Sequence, residues 1–523
     1  MGTPDTSPSG SGTGLRRSLG LYAVLMISMG AMIGSGIFVL PGVAFEIAGP
    51  GVILAFFLAG IVVLPAALSK SEMATAMPEA GGTYLYIDRA LGPLLGTIAG
   101  FGVWFSLAFK AAFALVGLSV YLEFFVEHPA RPVAALLALI LVVVNLMGVH
   151  QTAKVQAVLV TIVLSLLIAF IAVGAPASDP GRFTPFLPHG SGGLLSATAV
   201  VFVSYMGVTK VASIGGEIRS PSRNIPLGML TSVGIAMVLY PAVVAVMVGT
   251  TPASELASTE TPVLTAAAHF FGSAGIHVVA GTAVLALVSM ANAGLIASAR
   301  YPFAMANNSL APAFLGGVSE RTGAPVAGIL VTGTALILLV LFVPLVELAK
   351  LASAFQLLVF ALVNVAVIAF READLDWYKP GFRSPMYPVP QVFGIAASLL
   401  LLTQMGVIPF VGVALFVVTG VLWYRAFGRS RVVKESAARD ALRHREQRRS
   451  NREPVELALE HGVDAVARVG GARAVTVGVV DDGVGRVVDR TAGDERARGP
   501  RAVLAERHVG ERDLLQDLSL IHI

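Results

Sequence analysis

Two short runs put glycine where a long apolar helix would otherwise continue, and each would strip backbone groups of their helical partners. The first is Gly30-Ala31-Met32-Ile33-Gly34-Ser35-Gly36-Ile37-Phe38, in which Gly34 and Gly36 are costly in a helix and add no packing mass. The second is Ser204-Tyr205-Met206-Gly207-Val208-Thr209-Lys210. Taken singly, each reads equally well as close helix packing through small residues. An unwound helix, however, presents free N–H groups that attract a carboxylate and free C=O groups that attract an ammonium or another cation. An α-amino acid carries both groups.

Few charged side chains lie near these breaks. Lys110 falls in the middle of an apolar stretch, in Phe109-Lys110-Ala111-Ala112-Phe113. A charge there costs about 2.5–3.5 kcal/mol on insertion scales, so Lys110 is expected to face the interior, either with a functional role or as a bridge to broken-helix carbonyls. Lys210 lies nearer a stretch end, where snorkelling to the surface competes. Glu217 precedes Pro221 and Pro226 and is either a solvated loop charge or a gate partner of Arg223 or Arg300. The histidines show no H-E-x-x-H spacing and there are no cysteines, so no metal site is expected. Without a G-x-S-x-G or P-loop pattern, the chain offers neither catalytic residues nor a cofactor site, and it does not read as an enzyme.

The elements that must hold these residues are set by composition. Of 523 residues, 55% are hydrophobic and 13% charged, against roughly 25% charged in soluble domains. Half of the charged residues fall in the last 95 positions, so residues 19–428 lack the polar skin of a soluble body and must face lipid. Twelve stretches there are long enough to span a bilayer, the first predicted over 19–45, the third over 92–122 and the sixth over 194–214. Lys and Arg divide twelve to three between alternate connections, Lys70 after the second stretch among the twelve, which predicts both termini in the cytoplasm. The breaks fall in stretches one and six, matching positions if stretches 1–5 and 6–10 are inverted halves, and paired broken helices point to a transporter binding site.

Residues 1–18, rich in Gly, Ser, Thr and Pro, read as a disordered cytoplasmic lead-in. Residues 429–523 read as a charged cytoplasmic tail, either a truncated reading frame or the start of a regulatory domain. Its basic run from Arg429 to Arg452 suits anionic lipid headgroups, and no nucleic-acid partner is expected. Within it, Val455–Val469 has helical periodicity, and 474–480 followed by Asp481-Asp482-Gly483 predicts a strand and turn.

An ordered series of motifs resembles the amino acid, polyamine and organocation (APC) transporter superfamily. Gly34-Ser35-Gly36-Ile37-Phe38 with Pro41-Gly42 is followed by Glu72 and Pro78-Glu79-Ala80-Gly81-Gly82-Thr83-Tyr84. Asn145, Lys154-Val155-Gln156, Glu217, Arg223-Asn224-Ile225-Pro226, Asn292, Arg300, Leu310-Ala311-Pro312 and Phe382 to Pro390 continue it to about residue 428. The resemblance implies an all-α membrane protein of five plus five inverted helices with two extra, moving amino acids by alternating access. It also implies that Gly34-Ser35-Gly36 holds the substrate carboxylate and that Tyr205 to Val208 helps hold the amine and side chain. Two departures stand out. Thr209 replaces an acidic residue common in relatives, and the fifth stretch lacks the sodium-substituting lysine of some relatives, a role for which Lys110 becomes the candidate.

The pocket set Met32, Phe109, Phe113, Tyr205, Met206 and Val208 is largely apolar, and two nearby lysines should repel a cationic side chain. A neutral, apolar amino acid is therefore expected. The rivals are an acidic amino acid or exchange substrate paired with Lys110 or Lys210, and an amino acid sensor that binds without turnover.

Overall fold

The computed structural model describes residues 18–78, 82–148, 153–319, 322–373, 375 and 377–428, together with the backbone of three strands between 465 and 491. The chain divides into two units, Met1–Ala437 and Ala438–Ile523.

The first unit is helical. Its first predicted stretch is three helices, α1 (Leu21–Met32), α2 (Ser35–Phe38) and α3 (Leu40–Ala48). A 3-10 turn over Gly49–Gly51 leads into α4 (Val52–Ala76) and then α5 (Gly82–Leu91). The next helix, α6 (Pro93–Glu123), starts where Gly92 takes φ +92° and Pro93 supplies a first-turn residue that needs no N–H partner. Then come α7 (Ala130–Leu146), α8 (Ala153–Gly174), α9 (Gly190–Val201), a 3-10 segment over Phe202–Val208, and α10 (Thr209–Ser213). The remainder is α11 (Pro221–Thr250), α12 (Ala253–Ser258), α13 (Pro262–Ala268), α14 (Ser273–Asn307), α15 (Val326–Phe342), α16 (Leu345–Glu372), α17 (Val389–Thr403) and α18 (Val407–Trp423).

Eight described helical runs are long and apolar enough to cross a membrane, and four further apolar helices are shorter. Burial sorts them into inner and outer members. The most apolar stretch of α6 is 78% buried, whereas that of the run through α18 is 17% buried and shows Leu415, Val418 and Leu422 to the outside. An apolar outer face of this kind is what lipid contact requires.

The second unit contributes β1 (Ala465–Val469), β2 (Arg473–Val480) and β3 (Val484–Thr491), an antiparallel sheet in that order. Its register pairs Val466 with Thr476 and Thr476 with Val488. The all-α expectation therefore holds for the membrane unit and not for the whole chain. Strand β2 falls where alternation predicted it, but residues 465–469 are strand, not helix. A five-residue valine-rich segment gains its hydrogen bonds from a neighbouring strand, which a local periodicity does not register. Residues 1–17, most of the tail and its basic run lie outside the described residues.

A buried ion pair ties the inner helices together. Glu72 on α4 is fully buried and takes a bidentate grip from Arg371 on α16, Nε to Oε1 at 2.9 Å and Nη2 to Oε2 at 2.6 Å. The Ser384 N–H and the Tyr378 hydroxyl donate to the same carboxylate at 2.8 and 3.2 Å, so the loop after α16 is fastened to α4. Arg371 also lies over the Tyr387 ring, and partial burial together with the bond to Glu372 pushes the Tyr387 phenol up to about 12. Lys70, counted above among loop cations, is instead fully buried within α4, over the Phe360 ring at 4.4 Å and without a hydrogen-bond partner.

Removing one member of a buried pair leaves the other uncompensated, so Glu72→Gln is expected to destabilise the fold by about 3–5 kcal/mol. Asp179→Asn, at the exposed Arg182 pair, should change stability by only about 0–1 kcal/mol. Thermal unfolding of the purified variants in detergent checks the contrast.

Candidate functional site

The first break begins where α1 ends at Met32 and Ile33 turns extended. Its N–H still reaches back to Met29 O at 2.7 Å, but the chain then passes through Gly34 before helical geometry resumes at Ser35. The second break is the 3-10 segment Phe202–Val208, slightly earlier than the glycine alone marks it. The two breaks meet backbone to backbone. A Cβ on Gly207 would strike the Ala31 carbonyl carbon and the Met32 nitrogen, and one on Gly36 would lie 2.8 Å from Ser204 Cα. Only glycine permits either approach. Ser204 Oγ completes the join by donating to Gly36 O at 3.2 Å.

Side chains from three other helices take up the loosened backbone groups. Lys110, 5% exposed on α6, donates from Nζ to Ala31 O at 2.9 Å. Ser353 on α16 accepts from the Val203 N–H and donates to Val200 O, each at 3.0 Å. Met290 on α14 sits at the start of α2, where its Sδ accepts from the Ser35 N–H at 3.3 Å and the Ser35 hydroxyl at 3.1 Å. Tyr205 points away from the join, its hydroxyl donating to Phe56 O at 2.8 Å.

A cavity of about 580 Å³ opens beside this join. Of the sequence-predicted site residues, Lys110, Met206, Gly207 and Glu217 line it. Met32, Gly34, Ser35, Gly36, Tyr205 and Val208 are buried around the breaks behind its wall, and Phe109 stacks on Phe355 with ring centres 5.7 Å apart. Thr209 opens α10, and its side chain lies outside the described residues. The Glu217 side chain pairs with neither Arg223 nor Arg300, but its carbonyl accepts from the Ser18 and Leu19 N–H groups at 3.0 Å, and Leu19 lines the cavity beside it.

Sequence reasoning missed Met290, Ser353 and Ser106, the last of which bonds Ala352 O at 2.8 Å and Gln356 at 3.2 Å beside Met206. No local signal marks them, because single serines and methionines are ordinary in apolar helices. Gln156 and Asn145 do carry a signal in the motif series, and both line the cavity.

Two broken helices held together beside a cavity, one with backbone N–H groups and the other with polar partners, can grip a small zwitterion. The model of the family described as amino acid permease matches residues 23–428. The chain belongs to this family. It is 30% identical over 440 residues to a branched-chain amino acid permease of Bacillus subtilis, covering 79% of this chain and 94% of that protein. It is 27% identical over 436 residues to a methylthioribose transporter of the same organism, with 79% and 94% covered. To a vacuolar cationic amino acid transporter of Arabidopsis thaliana it is 29% identical over 391 residues, 69% of this chain and 64% of that one. The permease is thus a multi-pass membrane transporter of amino acids and not an enzyme.

In the permease, Gly207→Ala should separate the two breaks. Overpacking of this kind costs about 1–3 kcal/mol and here also displaces backbone at the site, so uptake should be lost while membrane insertion continues. Gly234→Ala on α11, where a Cβ meets open space, should transport normally. Uptake normalised to folded protein in reconstituted vesicles measures both.

Proposed function

We propose that the permease carries an amino acid with a neutral, apolar side chain across the cytoplasmic membrane by alternating access, without sodium. The observation that carries this reading is the Lys110 ammonium on Ala31 O: a cation already occupies the carbonyl end of the first break, where a bound sodium ion would otherwise serve. Gly34, Ser35 and Gly36 supply N–H groups to the substrate carboxylate, with Met290 vacating Ser35 as it binds. Met206, Gly207 and Val208 face the amine and side chain, Met32, Phe109 and Tyr205 shape the surrounding apolar shell, and Thr209 stands where a carboxylate would bind a cationic group. Glu217 closes the mouth when it reaches Arg300.

Packing supports two related halves within a twelve-span unit. The α1 break lies on the 3-10 segment, α4 on α11, α6 on α14 and α7 on α15, so the first four stretches each meet the one holding the same place in the other half. The charge division between connections, still eleven to three without the buried Lys70, supports both termini in the cytoplasm, and the basic run after Phe427 suits anionic headgroups. The similarity to the branched-chain amino acid permease of Bacillus subtilis supports an apolar side chain.

Purified protein in sodium-free vesicles should accumulate labelled leucine, with isoleucine and valine competing better than arginine or glutamate. Lys110→Met keeps the length and removes the charge. It should slow uptake roughly tenfold, about 1.4 kcal/mol at the limiting step, and flatten the profile between about pH 5 and 8. Sodium-stimulated uptake, or identical profiles for the two forms, would overturn the role of Lys110. Binding without time-dependent accumulation would identify a sensor instead.

A further inference from the structure

Three cations and one carboxylate line the same cavity, and the structure satisfies one of the four. Lys110 is held by Ala31 O. Lys210 on α10 and Arg300 on α14 share the wall, yet no hydrogen bond or ion pair joins either side chain to another described residue, and Glu217 pairs with neither. All three cations line one cavity, where the Lys210 charge acts on Lys110 and the Arg300 charge acts on Lys210. A lysine that merely snorkelled would carry its ammonium to the outside of the bundle, but this one is half-buried and lines the cavity together with the more exposed Arg300. Like charges in a partly desolvated space repel, and an anion between them removes that repulsion.

We infer that Lys210 and Arg300 form an anion site in the cavity, suited to a carboxylate or a halide. The guanidinium offers a planar fork that matches a carboxylate, and the ammonium adds a point charge from the neighbouring element. The occupant has two sources. One is a free small anion entering through the mouth at Glu217. The other is a carboxylate on the substrate itself, met on its way from the Gly34–Gly36 break, and this second source rests on the proposed transport function.

The test uses the full chain purified in detergent with HEPES as the bulk anion. Its unfolding temperature is followed by tryptophan fluorescence as chloride, acetate or leucine is added at constant ionic strength. Binding to the folded state predicts an upward shift that grows and then levels with concentration. The shift should vanish in Lys210→Met and Arg300→Gln, survive in part in Arg300→Lys, and persist in Lys350→Met, whose lysine is engaged by Glu347 away from the cavity. A shift with chloride or acetate identifies a free anion; a shift with leucine alone, lost in Lys210→Met and Arg300→Gln, identifies a carboxylate borne by the substrate. No shift with any of the three, or a shift that survives both Lys210→Met and Arg300→Gln, overturns the site. Leucine uptake by the same preparation reports separately on transport: an anion shift without uptake would remove the proposed function and leave the anion site standing.

Discussion

Inside a bilayer, a backbone group released from a helix has no water to turn to, and each one left unsatisfied costs several kcal/mol. The architecture around the site answers that constraint. Lys110 takes the Ala31 carbonyl, Ser353 serves both Val203 and Val200, Ser204 takes Gly36, and Met290 covers Ser35. These partners come from α6, α14, α16 and the second break itself, so the elements that hold the breaks open are also the walls around them. Met290 differs in kind from the rest. A thioether is a weak acceptor, and a carboxylate could replace it on Ser35 with a stronger, charge-assisted bond.

The same economy of polar groups governs the rest of the inner core. The buried Glu72 carboxylate is surrounded by Arg371, Ser384 and Tyr378, whereas Lys70, two residues before it on α4, has the Phe360 ring beside its ammonium. This arrangement anchors α4, which flanks the breaks, to α16, whose Ser353 repairs one of them. The cavity cations follow the opposite pattern, since Lys210 and Arg300 have no such shell.

Much of this was legible in the sequence, because glycine in a long apolar run has few physical meanings. The two breaks were placed from Gly34, Gly36 and Gly207, and the structure brings them into backbone contact. Lys110 was expected inside because its depth forbids an easy route to water, and it is found bridging a broken-helix carbonyl. Other features depend on tertiary placement that no local pattern encodes. Lys70 looked like a loop cation until packing enclosed it over Phe360, and Met290 and Ser353 acquire their roles only through contacts more than a hundred residues distant in sequence. Phe109 and Tyr205 illustrate the same limit: both are buried beside the breaks, but one stacks on Phe355 and the other bonds Phe56 O, directions that sequence spacing cannot supply.

The central claim is that the first break binds the substrate carboxylate where Met290 now sits. A structure of the permease determined with leucine bound tests it most directly. The carboxylate is expected within hydrogen-bond distance of the Ser35 and Gly36 N–H groups, with the Met290 side chain turned away from Ser35. Leucine bound elsewhere in the cavity, with Met290 still on Ser35, would contradict it.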